Sequence, residues 1–208
     1  MTPRILALDT THEHGSLALD PGGEIELHAP DGFAHVIYAR LAELLDAHGL
    51  RPADIDCFAA ASGPGSFTGV RVGLACIKGL AEATGKPAIA ISNLAAISTF
   101  GTAPLRAVAI DARRGEIYGA VYDSEARLVQ PEVVTKLEDW LASVPAGAEF
   151  LSPDIEREGW RQTPRALAGA IARLARARHL RGESSDPAAL DANYVRRSDA
   201  ELLFKPAI

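Results

Sequence analysis

The sequence predicts an α/β chain built as two lobes. Three observations carry that expectation. Short apolar runs alternate with helical apolar spacing through the first half. A Gly/Pro break at 101–104 ends that pattern, and a strand–turn–strand pattern restarts after it. Set side by side, "ILALDTTHEHGSLAL" and "AVAIDARRGEIYGAV" each place an aspartate, Asp9 or Asp111, where a first strand meets a charged turn. Hairpins in general share this pattern. The alternative is an internal duplication, with lobes at 1–101 and 102–208 and the tail returning to the first.

In chain order, "RILALD" is a short apolar strand, "GSLALD" follows the polar turn "TTHEH", and "EIELH" alternates after the turn signal "PGGE". Residues 33–48 are expected to be helical. Ile37, Leu41, Leu44, Leu45 and His48 share one face, Asp31 is a nearby cap, and Gly49 is a stop. "CFAAAS" is a buried strand running into a glycine loop, and a helix follows from about Thr68 to Thr84. "PAIAIS" is a strand, with Ser92 placed to cap "NLAAIST". In the second half "RAVAID" and "IYGAVYD" flank "ARRGE". Thr135 and Glu138 have the spacing of a capping box, opening a helix that Pro145 stops. Thr163 and Pro164 start a last helix, with Leu167, Ile171 and Leu174 on one face and Gly182 at its end.

A chain of 208 residues can bury a sizeable core without disulfide or metal staples. Its net charge of −6 argues against a broad nucleic-acid or membrane-surface role. Arginines between 161 and 181 still make one segment basic, which suits either a solvated helix end or a local RNA contact. Cys57 and Cys76 lie in apolar stretches without CxxC spacing and read as buried, reduced thiols. No apolar leader or spanning run is present, so a cytoplasmic protein with no membrane role is expected.

The loop Gly63, Pro64, Gly65, Ser66, Phe67, Thr68, Gly69 and Arg71 precedes and opens a helix, where backbone N–H groups favour an anion. It lacks the lysine of a phosphate loop and misses G-x-G-x-x-G by one place. Gly69, Val72, Gly73, Cys76, Gly79 and Ala83 crowd one side of the helix. Interior glycines cost about 1 kcal/mol each against alanine, so something approaches that side closely: a strand, another helix of this chain, a partner's helix or a ligand. Ser66 and Thr68 read as helix caps, since the nucleophile elbow G-x-S-x-G is absent. His12, Glu13 and His14 share a turn and are expected as exposed polar side chains, with no zinc register. No catalytic residue and no metal site is expected.

"SGPGSFTGVRVGLACIKGLAEATGKPAIAISNLAAIS", together with "ILALDTT", "DARRGEIYGAVY" and the late "YVRRSDAE", resembles the bacterial TsaB (YeaZ-like) family of tRNA threonylcarbamoyladenosine biosynthesis proteins. The resemblance implies a two-lobed actin-like fold (ribonuclease H-like, ASKHA) with duplicated mixed-sheet lobes. It also implies a non-catalytic scaffold that partners the transferase TsaD and the ATPase TsaE in modifying adenosine at tRNA position 37. The family's helices at 33–48 and 68–84 dock on those of TsaD or on a second copy, and tRNA is met only through the complex. Phe33, Ile37, Tyr38 and Leu41 are then anchor candidates, with Gly69, Val72, Gly73 and Cys76 beside them. No cofactor of its own is expected, and ADP or ATP belongs, if anywhere, at the partner interface. The metal-binding His-x-x-x-His of the catalytic relative is incomplete, His35 being followed by Ala39. Both hairpin turns also lack the Asp-x-Gly of actin-like ATPases. An ATP-binding enzyme of the same fold, or less favourably the protease of an old family label, remain the alternatives.

Overall fold

In a computed structural model, which describes residues 2–29 and 32–195, strand alternation sets the architecture. Along β1 (Ile5–Asp9) every residue is buried, but on two sides. Ile5 and Ala7 join one core and Leu6 and Leu8 another, as the two-residue period of a strand dictates. The first sheet adds β2 (Gly15–Asp20), β3 (Glu24–Leu27), β4 (Cys57–Gly63) and β5 (Ala88–Ser92), in the order β3-β2-β1-β4-β5. The second holds β6 (Leu105–Arg113), β7 (Glu116–Asp123), β8 (Leu128–Lys136), β9 (Glu149–Ser152) and β10 (Arg161–Gln162), in the order β8-β7-β6-β9-β10. The two orders correspond strand for strand. In each, the first three strands are antiparallel and the last two add in parallel. The hairpins alone were ambiguous; equal topology in both sheets favours duplication.

Helices complete the correspondence. α1 (Ile37–Ala47) follows β3, as the shorter α4 (Leu137–Leu141) follows β8. α3 (Asn93–Ser98) follows β5, as α5 (Ala168–Leu180) follows β10. α2 (Phe67–Thr84) joins β4 to β5 and has no counterpart among the described residues of the second lobe. α3 and α5 lie between the sheets, and α5 packs on the first sheet although it follows the second. Its start is capped from far away, Ser16 Oγ accepting the Ala168 N–H at 2.9 Å. Glu149 fastens the junction by accepting from Thr102 N at 2.6 Å, Ala103 N at 2.8 Å and Arg161 Nε at 2.5 Å. Burial raises this carboxyl, but those donors outweigh it and hold its pKa down to about 2.

Several expectations are corrected. Residues 33–35 form one 3-10 turn, and the α-helix starts only at Ile37. Thr135 lies in β8 and caps nothing; Lys136 precedes α4 without a side-chain cap, and α4 ends at Leu141. The last helix starts at Ala168, not at Thr163. Strands β8, β9 and β10 were not anticipated. Asp31 and most of "YVRRSDAE" lie outside the described residues.

Candidate functional site

The glycine loop begins where β4 ends. Gly63 is left-handed at φ 98°, Pro64 follows through a cis peptide, and Ser66 caps α2 by accepting from Gly69 N at 3.3 Å. What approaches the glycines is the chain's own β1–β2 turn. Ser66 N donates to Thr11 O at 2.6 Å, and Thr10 Oγ1 donates to Gly69 O at 2.7 Å. A Cβ on Gly69 would lie 1.9 Å from Thr10 O, and one on Gly65 would lie 2.6 Å from Thr11 O. Asn93 ties the loop to the turn: its Oδ1 accepts from Gly63 N at 3.0 Å and its Nδ2 donates to Thr11 Oγ1 at 2.6 Å. The β1–β2 turn is therefore seated on the side of the first turns of α2, at Gly65 and Gly69.

This reverses the expected faces of α2. Gly69, Gly73 and Cys76 point inward, Gly69 and Gly73 against Thr10, while Val72 is half-buried. The outward stripe is Phe67, Arg71, Ala75 and Gly79, all exposed at four-residue spacing. On α1, Ile37 and Leu41 are buried against the chain's own sheet and are withdrawn as exposed anchors. Phe33 is half-buried, and Tyr38 is 62% exposed, its hydroxyl reaching the Cys76 thiol. In the loop, Gly63 and Pro64 are buried and 65–68 are exposed. Among the described residues no atom lies within 4 Å of a Cβ on Gly79. Gly79→Ala is expected to raise folding stability by about 0.5–1 kcal/mol in chemical denaturation of the isolated chain.

The aromatic cluster at the start of α2 was missed by sequence reasoning. Arg71 lies 3.6 Å over the Phe67 ring, and its Nε donates to the Tyr194 hydroxyl at 3.0 Å. Phe67 and Tyr194 are about half exposed, and their rings lie 5.6 Å apart. Tyr194 opens the late stretch that carried the family resemblance; its pairing across 123 positions left no local signal. The arginine segment is largely neutralised: Arg161 pairs with Glu149, Arg165 with Glu13, Arg176 with Asp20 and Arg181 with Glu183. Both cysteines are buried, and burial, with Asp56 nearby, pushes the Cys57 thiol up to about 12.

Asp9 and Asp111 close equivalent turns, their Oδ1 atoms accepting from Thr11 N at 2.9 Å and Arg113 N at 2.8 Å. Asp9 is fully buried, and its Oδ2 pairs with His12 Nε2 at 3.1 Å. His12 is thus held on a buried carboxylate, a correction to its expected place as a solvated turn residue. Burial raises the Asp9 carboxyl, but His12 and the Thr11 donors outweigh it and leave the pKa below the ordinary value of 3.8. Burial lowers His12, but Asp9 outweighs it and leaves the pKa above 6.5. The Asp9 contribution is lost as pH falls below 3.8 through its depressed folded value. The His12 contribution is complete below 6.5 and lost as pH rises through its raised folded value. Urea titrations across pH 3–9 are expected to show stability falling toward both ends of this window, with the alkaline fall flattened in His12→Ala.

Two topologically equivalent mixed-sheet lobes, each with an aspartate at its first hairpin, define a protein of the two-lobed actin-like class. YeaZ from Pseudomonas aeruginosa superposes with a TM-score of 0.79 at 28% identity, over 92% of this chain and 99% of that one. Residues 18–169 match the family described as "TsaD: tRNA N6-adenosine threonylcarbamoyltransferase". The Escherichia coli tRNA threonylcarbamoyladenosine biosynthesis protein TsaB is 36% identical over 175 residues, 74% of this chain and 76% of the relative. Its Haemophilus influenzae namesake is 40% identical over 121 residues, 55% and 51% of the two chains. The chain belongs to the TsaB/YeaZ family of tRNA threonylcarbamoyladenosine biosynthesis proteins.

Proposed function

We propose that the chain is a non-catalytic scaffold of tRNA threonylcarbamoyladenosine synthesis, docking on a TsaD-type transferase with a TsaE-type ATPase joining the assembly. The observation that carries this is the seating of Thr10 and Thr11 backbone on the glycines of α2. The chain's own backbone thus takes up the close approach that the glycines allow, which supports packing over phosphate binding as their role. The docking surface is the outward stripe of α2 together with Tyr38, where a small side chain at Ala75 and none at Gly79 let a second helix come close. Residues 18–169 match the transferase family itself, so helices of a TsaD-type protein equivalent to these would pair with them about a pseudo-twofold axis, as two copies of this chain would when alone.

Reconstitution tests the proposal. Threonine, bicarbonate, ATP and tRNA are incubated with TsaD, TsaE and the synthase that makes threonylcarbamoyl-AMP, with and without this chain. Modified adenosine is expected only with the chain present. Full modification in its absence would overturn the scaffold role, and turnover of ATP by the chain alone would overturn its lack of catalysis. Co-elution with TsaD, with and without ADP, tests whether nucleotide strengthens the interface.

A further inference from the structure

We infer that Glu132 is a positioning residue for the docking surface: it fastens the segment 185–195 so that Tyr194 is presented on Arg71 and Phe67. Glu132 lies on β8, in the second lobe, far from that surface in sequence. Its Oε1 accepts from Ser92 Oγ and from the Tyr122 hydroxyl, each at 2.5 Å, and its Oε2 accepts from Asn193 Nδ2 at 2.5 Å. The three donors come from three places: the end of β5 in the first lobe, β7 in the second, and the C-terminal segment. One carboxylate thus joins both lobes to the strap.

The strap has its own track. Ser185 pairs with Ala88 on the edge of β5, and Leu190 is buried in the core beneath α1 and α2. Asn193 N then donates to Ser62 O at 2.8 Å, immediately before the glycine loop. Tyr194 follows and meets Arg71 and Phe67. Asn193 is therefore held at both ends, by backbone to the first lobe and by side chain to Glu132. Releasing the side chain leaves the Ser62 backbone bond and the exposed contacts with Arg71 and Phe67 to place an aromatic ring that is itself half exposed. Charge-assisted hydrogen bonds are the stronger kind, so Glu132 is the dominant fastening at this end of the strap.

This inference rests on the docking surface proposed above, and the test separates the two. Amide hydrogen exchange on the full chain follows the amide of residue 193 in Glu132→Ala and Asn193→Ala; the second variant leaves the Ser92 and Tyr122 bonds in place and guards against general unfolding. Exchange at 193–195 is expected to quicken about tenfold or more in both, with the sheets unchanged in Asn193→Ala. Affinity for the TsaD-type transferase is expected to fall about tenfold in Tyr194→Ala and similarly in Glu132→Ala, with no further fall in the double variant. Unchanged exchange at Asn193, or additive losses in the double variant, would overturn the positioning role while leaving the docking surface standing. A wild-type chain that does not bind the transferase would overturn the docking surface, and with it the use of Tyr194 there.

Discussion

Gly69→Ala is expected to destabilise the isolated chain by on the order of 3–5 kcal/mol, a large part of the roughly 5–15 kcal/mol that holds a typical domain together. By helix propensity alone the substitution would stabilise, by about 1 kcal/mol. The sign is reversed by what the methyl group meets. Its carbon would lie 1.9 Å from Thr10 O, 3.0 Å from Thr10 C and 3.3 Å from Thr11 Cα, all backbone atoms of the β1–β2 turn. Backbone cannot rotate aside as a side chain can, so the turn must lift. Lifting it breaks the Thr10 bond to Gly69 O and the Ser66 bond to Thr11 O, each worth about 1 kcal/mol. Gly73→Ala makes the useful comparison. Its carbon would meet Thr10 Oγ1 at 2.6 Å, and a hydroxyl can turn away at the cost of one hydrogen bond. Denaturant titrations are expected to rank the losses Gly69→Ala, then Gly65→Ala, then Gly73→Ala. A Gly69→Ala protein as stable as wild type would mean the turn is not locked onto α2.

Those same glycines show where a sequence is informative and where it is not. Their spacing announced a close approach, because three glycines in one helix are otherwise costly. It left open what approached, since Thr10 and Gly69 are 59 positions apart. The strands of the first lobe were legible as short apolar runs bounded by turns, and Ser66 and Ser92 cap the helices they precede. The second lobe was less so. β8 is exposed or half-exposed along its whole length, carries Pro131, and shifts register twice against β7, so it shows no clean alternation. β9 and β10 have four and two residues, too few for a period. The burial of Ile37 and Leu41 was undecidable locally, because an apolar helical stripe looks alike whether it faces its own sheet or a partner. The Asp9–His12 pair was hidden by the ordinary polarity of its turn.

Gly79→Trp is expected to leave the fold intact and to weaken association with a TsaD-type transferase by about a hundredfold or more, equivalent to roughly 3 kcal/mol or more. Folding tolerates the substitution because Gly79 is exposed and, beyond the helix's own adjoining backbone, nothing among the described residues lies within 4 Å of a Cβ there. Docking would not, because a second helix brought up against Ala75 and Gly79 would meet a side chain in place of backbone. Ile37→Ala is the opposite case. It removes a side chain 2% exposed in the first lobe's outer core and is expected to cost about 2–5 kcal/mol of folding stability. Its effect on association should be no greater than the loss of folded protein accounts for. Denaturation curves and binding isotherms on both variants separate the inward and outward faces of these two helices. If Gly79→Trp bound the transferase as wild type does while Ile37→Ala, still folded, did not, the surface would have to be redrawn around the first helix alone.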